Sequence, residues 1–111
     1  MLAPPDATVE HRAIRVRGAV QGVGFRPFVF RLASELDLAG WVFNDAQGVA
    51  IDVQGPQAAL ALFERRLRSE APPLARIEHL EATVHPGGAR EQGFRILASR
   101  PGRVTTSIPP D

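Results

Sequence analysis

Apolar and polar residues alternate along the chain with two different periods, and each change of period predicts an element boundary. The first period is two, which predicts a strand over Arg12–Gly18. Within it Ile14 and Val16 lie on one face, and Arg15 and Arg17 lie on the other. This alternation is typical of a strand with one face on the core and the other in water.

The period then changes to that of a helix. Pro27, a favoured first residue of a helix, marks its start. The predicted helix runs to about Leu38 and ends near Gly40, because glycine commonly terminates helices. Its apolar residues recur at i, i+3, i+4 and i+7 and form one face: Val29, Leu32, Ala33 and Leu36.

A β-hairpin is predicted next. A compact strand over Trp41–Phe43 and an alternating strand over residues 49–53 are joined by polar turn residues at 44–48. The two aromatic residues of the first strand, Trp41 and Phe43, are interpreted as members of the core.

The second half of the chain predicts one more helix and two more strands. Gly55-Pro56 ends the strand pattern and places Pro56 at the first position of the second helix, which ends before Pro72-Pro73. A fourth strand is predicted over Ala75–His85 and a short fifth strand over Gly93–Leu97. The second helix buries one face: Leu60, Phe63 and Leu67.

The order β-α-β-β-α-β with an extra edge strand predicts an α+β fold of the ferredoxin-like type. Two helices would cover one face of an antiparallel sheet. We assign residues 11–98 to this domain, residues 1–10 to a flexible lead-in and residues 99–111 to a linker toward further domains. Because this fold hosts many unrelated activities, function has to be argued from a site.

Composition disfavours several classes of function. The chain has 111 residues, enough for one core, and a net charge of +1 that disfavours a nucleic-acid-binding surface. It has no cysteine, and its three histidines lack a metal-ligand spacing, so we predict no metal site. The sequence shows no signal peptide and no apolar run long enough for a membrane span. We therefore expect a cytoplasmic protein that does not bind membranes.

The stretch between the first strand and the first helix is the candidate site. Gly18, Gly22 and Gly24 leave backbone N–H groups unshielded by Cβ atoms, and Arg26 adds a fixed positive charge. A helix N-terminus with exposed amides can bind an anion such as phosphate. The alternative is a tight turn that uses glycine only for its geometry. The pattern is not that of a P-loop, so Mg²⁺ and a nucleoside triphosphate are not implied.

Two segments of the chain resemble the signatures of the acylphosphatase family. Residues 18–26 match G-x-V-Q-G-V-x-[FY]-R, and residues 40–44 match G-[FW]-V-x-N; the resemblance extends from about His11 to Ala98. It implies that Arg26 and the loop backbone bind the phosphoryl group and that Asn44 positions the attacking water. The implied phosphate-binding residues are Ala19, Val20, Gln21, Gly22, Val23, Gly24, Phe25 and Arg26.

Asn44 alone would be more typical of a hairpin turn, and it gains its catalytic interpretation from the neighbouring loop. Asp45 is a candidate for shaping the acyl end of the pocket. An acyl phosphate carries a good leaving group, so positioning of water and stabilisation of charge on the phosphoryl oxygens can suffice. No cofactor is expected in this domain.

Three further segments, residues 26–33, 44–49 and 71–77, resemble the N-terminal acylphosphatase-like domain of the HypF family of carbamoyltransferases in [NiFe]-hydrogenase maturation. The resemblance implies hydrolysis of carbamoyl phosphate to carbamate and phosphate. It also implies that ATP and zinc are used by downstream domains of a longer chain and that a hydrogenase-maturation protein is a partner. We expect the domain itself to be monomeric.

Two alternative functions are weighed against hydrolysis. A module that binds carbamoyl phosphate, or docks on partner domains, with little turnover in isolation would carry the same loop. An RNA-binding domain of the RRM type stacks bases on aromatic residues of its central strands. The first and third strands predicted here expose no aromatic residue, which disfavours that class.

Overall fold

The computed structural model describes residues 9–86 and 93–99. Two helices and five strands follow the predicted order: β1 Val9–Ala19, α1 Phe25–Glu35, β2 Ala39–Asp45, β3 Gly48–Pro56, α2 Gln57–Ser69, β4 Arg76–Pro86 and β5 Phe94–Ile96. The strands form one sheet in the order β4-β1-β3-β2-β5. The predicted ferredoxin-like α+β fold is confirmed.

The sheet is mixed because the added edge strand differs from the others. The pairings are antiparallel between β1 and β3, between β1 and β4 and between β2 and β3, whereas β5 pairs parallel with β2. β1 and β2 both run antiparallel to β3, which separates them, and so they run in the same direction. The loop after β1 and the last residues of β2 therefore lie at the same edge of the sheet.

The core lies between one face of the sheet and the two helices. β1 and β3 contribute alternate residues such as Val16 and Val53, both fully buried, as the period of two predicts. The apolar faces of the helices are buried against them, including Leu60, Phe63 and Leu67 of α2. Arg66 of α2 also binds Glu35 of α1 at 2.9 Å, which joins the two helices at their solvent side.

The first helix begins and ends earlier than predicted. It begins at Phe25, so Pro27 is its third residue and not its first. Proline is tolerated there because the first four N–H groups of a helix have no partner within it. The helix ends at Glu35, and Asp37 adopts a left-handed backbone with φ 58° that reverses the chain. Leu38, predicted as helical, donates its N–H to Ala33 O at 2.8 Å and is buried.

The interpretation of Trp41 and Phe43 as core residues is wrong. β2 buries Gly40, Val42 and Asn44, and the side chains of Trp41 and Phe43 are half-buried on the opposite, helix-free face of the sheet. The compact apolar run Trp41–Phe43 concealed the period of two, because all three of its members are apolar. β2 is also longer than predicted and includes Asn44, which was assigned to the turn.

The remaining boundaries shift by a few residues. Val9 and Glu10, which were placed in the lead-in, are the first residues of β1. Pro56, the predicted first residue of the second helix, ends β3 and is the N-cap of α2, so this helix begins one position later than predicted. The predicted linker at 99–111 falls, apart from Ser99, outside the described residues. Within the described ranges, neither helix is long and apolar enough to cross a bilayer.

Replacing Leu60 by alanine tests the packing of α2 on the sheet. The side chain is 0% exposed, so its removal should lower the free energy of unfolding by about 2–5 kcal/mol. Chemical denaturation followed by the fluorescence of Trp41, the only tryptophan, measures it. The neighbouring exposed Ala61→Ser is the control and should change the free energy by about 0.5 kcal/mol or less. Equal losses for the two variants would contradict this packing.

Candidate functional site

The loop between β1 and α1 has a backbone that only glycine adopts without strain at two positions. Gly22 and Gly24 have φ angles of 75° and 81°, in the left-handed region. A Cβ atom at either position would meet no atom within 4 Å. These glycines are therefore required for the path of the chain and not for space.

The start of α1 leaves its backbone donors uncovered. Gly24 is the N-cap, so no side chain caps the helix, and the first turn contains no acidic residue. The first N–H groups of a helix lack partners within it and carry a partial positive charge. Val20 and Phe25 are buried on either side of the loop and fix both of its ends to the core. The loop can therefore present several N–H donors to one anion.

Arg26 is the second residue of α1 and places a cation beside these donors. Its side chain is half-buried and makes no hydrogen bond or ion pair within the part of the chain that the structure describes. Arg12, Arg15 and Arg66, by contrast, bind carboxylates at 2.7–2.9 Å. Arg26 thus retains its donors for a ligand, and its guanidinium suits bidentate contacts with phosphate oxygens.

Asn44 approaches the same edge from β2. Val49 of β3 pairs with Val16 on one side and with Asn44 on the other, so these three residues lie in one row across the sheet. Asn44 faces the helices and is only 8% exposed. Its Oδ1 is buried and has no hydrogen-bond partner among the described residues. The structure therefore brings an unpaired amide acceptor to the edge where the glycine-rich loop begins.

The side chain of Gln21 connects the loop to the β2–β3 turn. Its Nε2 donates to Asp45 O at 2.8 Å and to Gly48 O at 3.0 Å. Because both acceptors are carbonyl oxygens, the amide nitrogen has to face the turn. The sequence motif indicated a role for Gln21 only through its backbone and did not predict this side-chain contact. The motif did contain a signal for it, since the glutamine side chain carries two N–H donors and lies just after the end of a strand.

Asp45 lies on the other face of β2 from Asn44 and does not contribute its carboxylate to the proposed pocket. Its Oδ1 accepts from Arg15 Nη1 at 2.7 Å and from the Gln47 N–H at 2.8 Å. Burial acts to raise the pKa of Asp45, but the hydrogen bonds from Arg15 and Gln47 outweigh it, and the pKa lies below its ordinary value. The carboxylate fixes the turn that follows Asn44.

A groove of about 310 Å³ lies elsewhere, on the helix-free face of the sheet. Its lining includes Ala13, Trp41, Phe43, Ala50 and Thr83, and none of the predicted site residues. The candidate phosphate site at the sheet edge is therefore distinct from this groove. Trp41 and Phe43 both lie on β2, not on the central strands β1 and β3, which agrees with the argument against an RRM-type surface.

The chain matches a known protein family over most of its length. The sequence profile of the family described as Acylphosphatase matches residues 12–96. The chain belongs to the acylphosphatase family. An acylphosphatase from Bacillus subtilis superimposes with a TM-score of 0.73 at 36% identity, covering 80% of this chain and 98% of that one.

Among its relatives, this acylphosphatase domain is similar to part of longer proteins. The carbamoyltransferase HypF2 of Cupriavidus necator is 57% identical over 86 residues, which are 78% of this chain and 11% of that protein. A full-length HypF in its phosphate- and nucleotide-bound form superimposes with a TM-score of 0.81 at 33% identity, covering 85% of this chain and 12% of that one. The chain thus spans about a ninth of the length of these relatives.

Replacing Asp45 by asparagine tests the ion pair that fixes the turn. Because the folded-state pKa is lowered, the carboxylate stabilises the fold above its unfolded-state pKa of about 4, and this contribution is lost as the pH falls through the folded-state value. At neutral pH the variant should lose up to about 1 kcal/mol of unfolding free energy, a typical contribution of an ion pair near the protein surface.

Denaturant titrations at several pH values measure this difference. The wild type and Asp45→Asn should converge in acid, while the control Glu78→Gln, an exposed carboxyl without an ion pair in the described ranges, should change stability little at any pH. A difference between wild type and Asp45→Asn that persists unchanged in acid would show that the carboxylate charge is not its source.

Proposed function

We propose that this acylphosphatase domain hydrolyses carbamoyl phosphate to carbamate and phosphate. The observation that carries the proposal is Asn44 Oδ1, a buried acceptor without a partner in the described residues, at the same sheet edge as the glycine-rich loop. A buried polar atom left unpaired costs about 1–3 kcal/mol. Such an arrangement is typical of a functional site, where the acceptor serves a ligand and not the fold.

In this proposal the loop and Arg26 hold the phosphoryl group. The Val20 N–H already donates to Gly18 O at 3.0 Å, so in this proposal the N–H groups from Gln21 to Phe25, at the uncapped start of α1, donate to the phosphoryl oxygens. The Arg26 guanidinium neutralises the charge of these oxygens. Donors fixed in advance stabilise the charge that builds up in the transition state without reorganising. Because its donors are fixed in advance, the same loop can both bind the phosphoryl group and stabilise the transition state.

Asn44 orients the attacking water. Its Oδ1 accepts a hydrogen bond from the water, which directs a lone pair of the water oxygen toward phosphorus. The new bond forms between this oxygen and phosphorus, while the bond from phosphorus to the carbamoyl oxygen breaks. Its electron pair leaves with carbamate, and the water proton passes to solvent or to a phosphate oxygen. Because carbamate is a stable leaving group, positioning supplies much of the rate enhancement.

The choice of a carbamoyl substrate rests on the relatives. A protein named carbamoyltransferase HypF2 contains a segment that is 57% identical to this chain. The structure of a full-length HypF was solved with phosphate and nucleotide bound. We propose that carbamate formed here is used by an ATP-dependent transfer step in other domains of a longer chain. Zinc and ATP sites belong to those domains in this proposal, and a hydrogenase-maturation protein is the acceptor of the group.

Replacing Arg26 by alanine tests the proposed chemistry. Loss of one fixed donor from a site of this kind lowers kcat by about 10²–10³-fold. Arg31→Ala is the matched control, because Arg31 is exposed on the same helix and has no partner within the described ranges. Steady-state release of phosphate from carbamoyl phosphate measures both variants.

Three results are distinguishable in that assay. A large loss for Arg26→Ala with wild-type turnover for Arg31→Ala supports hydrolysis at this loop. Equal rates for the wild type and Arg26→Ala would refute it. Saturable binding of carbamoyl phosphate with no phosphate release by the wild type would replace hydrolysis with the binding or docking function.

A further inference from the structure

The side chain of Gln21 makes contacts that phosphate binding by the loop backbone does not need. It extends from the loop to the β2–β3 turn and uses both of its donors there, at 2.8 Å on Asp45 O and 3.0 Å on Gly48 O. Gln21 is exposed and lies outside the core. These two hydrogen bonds therefore connect the loop to the turn outside the core.

These hydrogen bonds act on the turn directly beside Asn44. Asp45 follows Asn44 in sequence, and the partner of Gly48 in the sheet is Asp45 itself. On the opposite face, Arg15 and the Gln47 N–H hold the Asp45 carboxylate at 2.7 and 2.8 Å. The end of β2 is thus fixed from β1 on one side and from the phosphate loop on the other.

We infer that Gln21 is a positioning residue for hydrolysis, which sets the distance between the phosphate-binding loop and the Asn44 amide. This inference rests on the proposed function and adds a residue to it. The loop holds the phosphoryl group and β2 holds the water-orienting oxygen, but the two belong to different elements. Gln21 is the side chain that hydrogen-bonds one to the other among the described residues. Its amide carries no charge and takes no part in bond making.

A near-isosteric variant, Gln21→Met, removes the donors and keeps the length of the side chain. Because the loop backbone and Arg26 are retained, inhibition by inorganic phosphate should keep its Ki within about twofold. The water-orienting group loses its alignment, and kcat for carbamoyl phosphate should fall by about 10- to 100-fold. Gln47→Met is the control, since the Gln47 side chain lies in the same turn without a hydrogen bond in the described ranges.

A double-mutant cycle with Asn44→Ala decides whether Gln21 acts through Asn44. In the Asn44→Ala background, Gln21→Met should change kcat by no more than about twofold, because the group that it positions is absent. If kcat of the double variant instead falls by the product of the two single-variant factors, the inference is overturned. So would a phosphate Ki that rises in proportion to the fall in kcat, because Gln21 would then shape the loop itself.

A spectroscopic measurement keeps the inference testable whatever the turnover. In the domain saturated with inorganic phosphate, Gln21→Met should shift the side-chain amide resonances of Asn44 in a ¹H–¹⁵N spectrum, and Gln47→Met should not. Unchanged Asn44 resonances in Gln21→Met would overturn the inference. If the wild type releases no phosphate from carbamoyl phosphate, the proposed function fails, and the Asn44 resonances still decide the role of Gln21 in aligning the two elements.

Discussion

The row formed by Val16, Val49 and Asn44 across three strands is the constraint on which the candidate site depends. Val49 pairs with a residue of each strand that flanks β3, so β1 and β2 have a fixed register relative to each other. A shift of one residue in either pairing would turn Asn44 to the helix-free face. The buried valines prevent this, because the same shift would expose them to water. The packing of the core thus decides which way a polar side chain near the edge points.

The site also depends on donors that the fold leaves free. A serine or aspartate at the N-cap of α1 would cap one of the helix amides, yet the position is Gly24 in a left-handed conformation. Two carboxylates that follow Arg26 in the chain are bound by other arginines, Glu35 by Arg66 and Asp45 by Arg15. Arg26 therefore lies beside open N–H groups without an internal anion to neutralise it within the described residues. Arg26 and the free N–H groups therefore make the electrostatic potential positive at the N-terminal end of α1.

Much of the fold was predictable because the hydrophobic periods are regular where the elements are half-buried. β1 and α2 show this, since their apolar residues fall on one face and the structure buries that face. β2 was misread because its helix-free face also carries apolar side chains, Trp41 and Phe43, which hide the period of two. The end of α1 was misplaced because Leu38 continues the apolar pattern although the chain has already turned at Asp37. Local pattern does not distinguish a core residue in a helix from one just after it.

The candidate site was predictable to the extent that the motifs name its residues, and the structure places Arg26 and Asn44 at one edge of the sheet. Side-chain contacts between segments far apart in the sequence could not be predicted. The hydrogen bond from Gln21 to Asp45, for example, joins residues 24 positions apart. The most direct test of a phosphate site at this edge is titration of the domain with inorganic phosphate, followed by the backbone amide resonances. We expect saturable shifts confined to Ala19–Arg26 and the neighbourhood of Asn44. Shifts that map to the helix-free face, or none in the loop, would contradict the account.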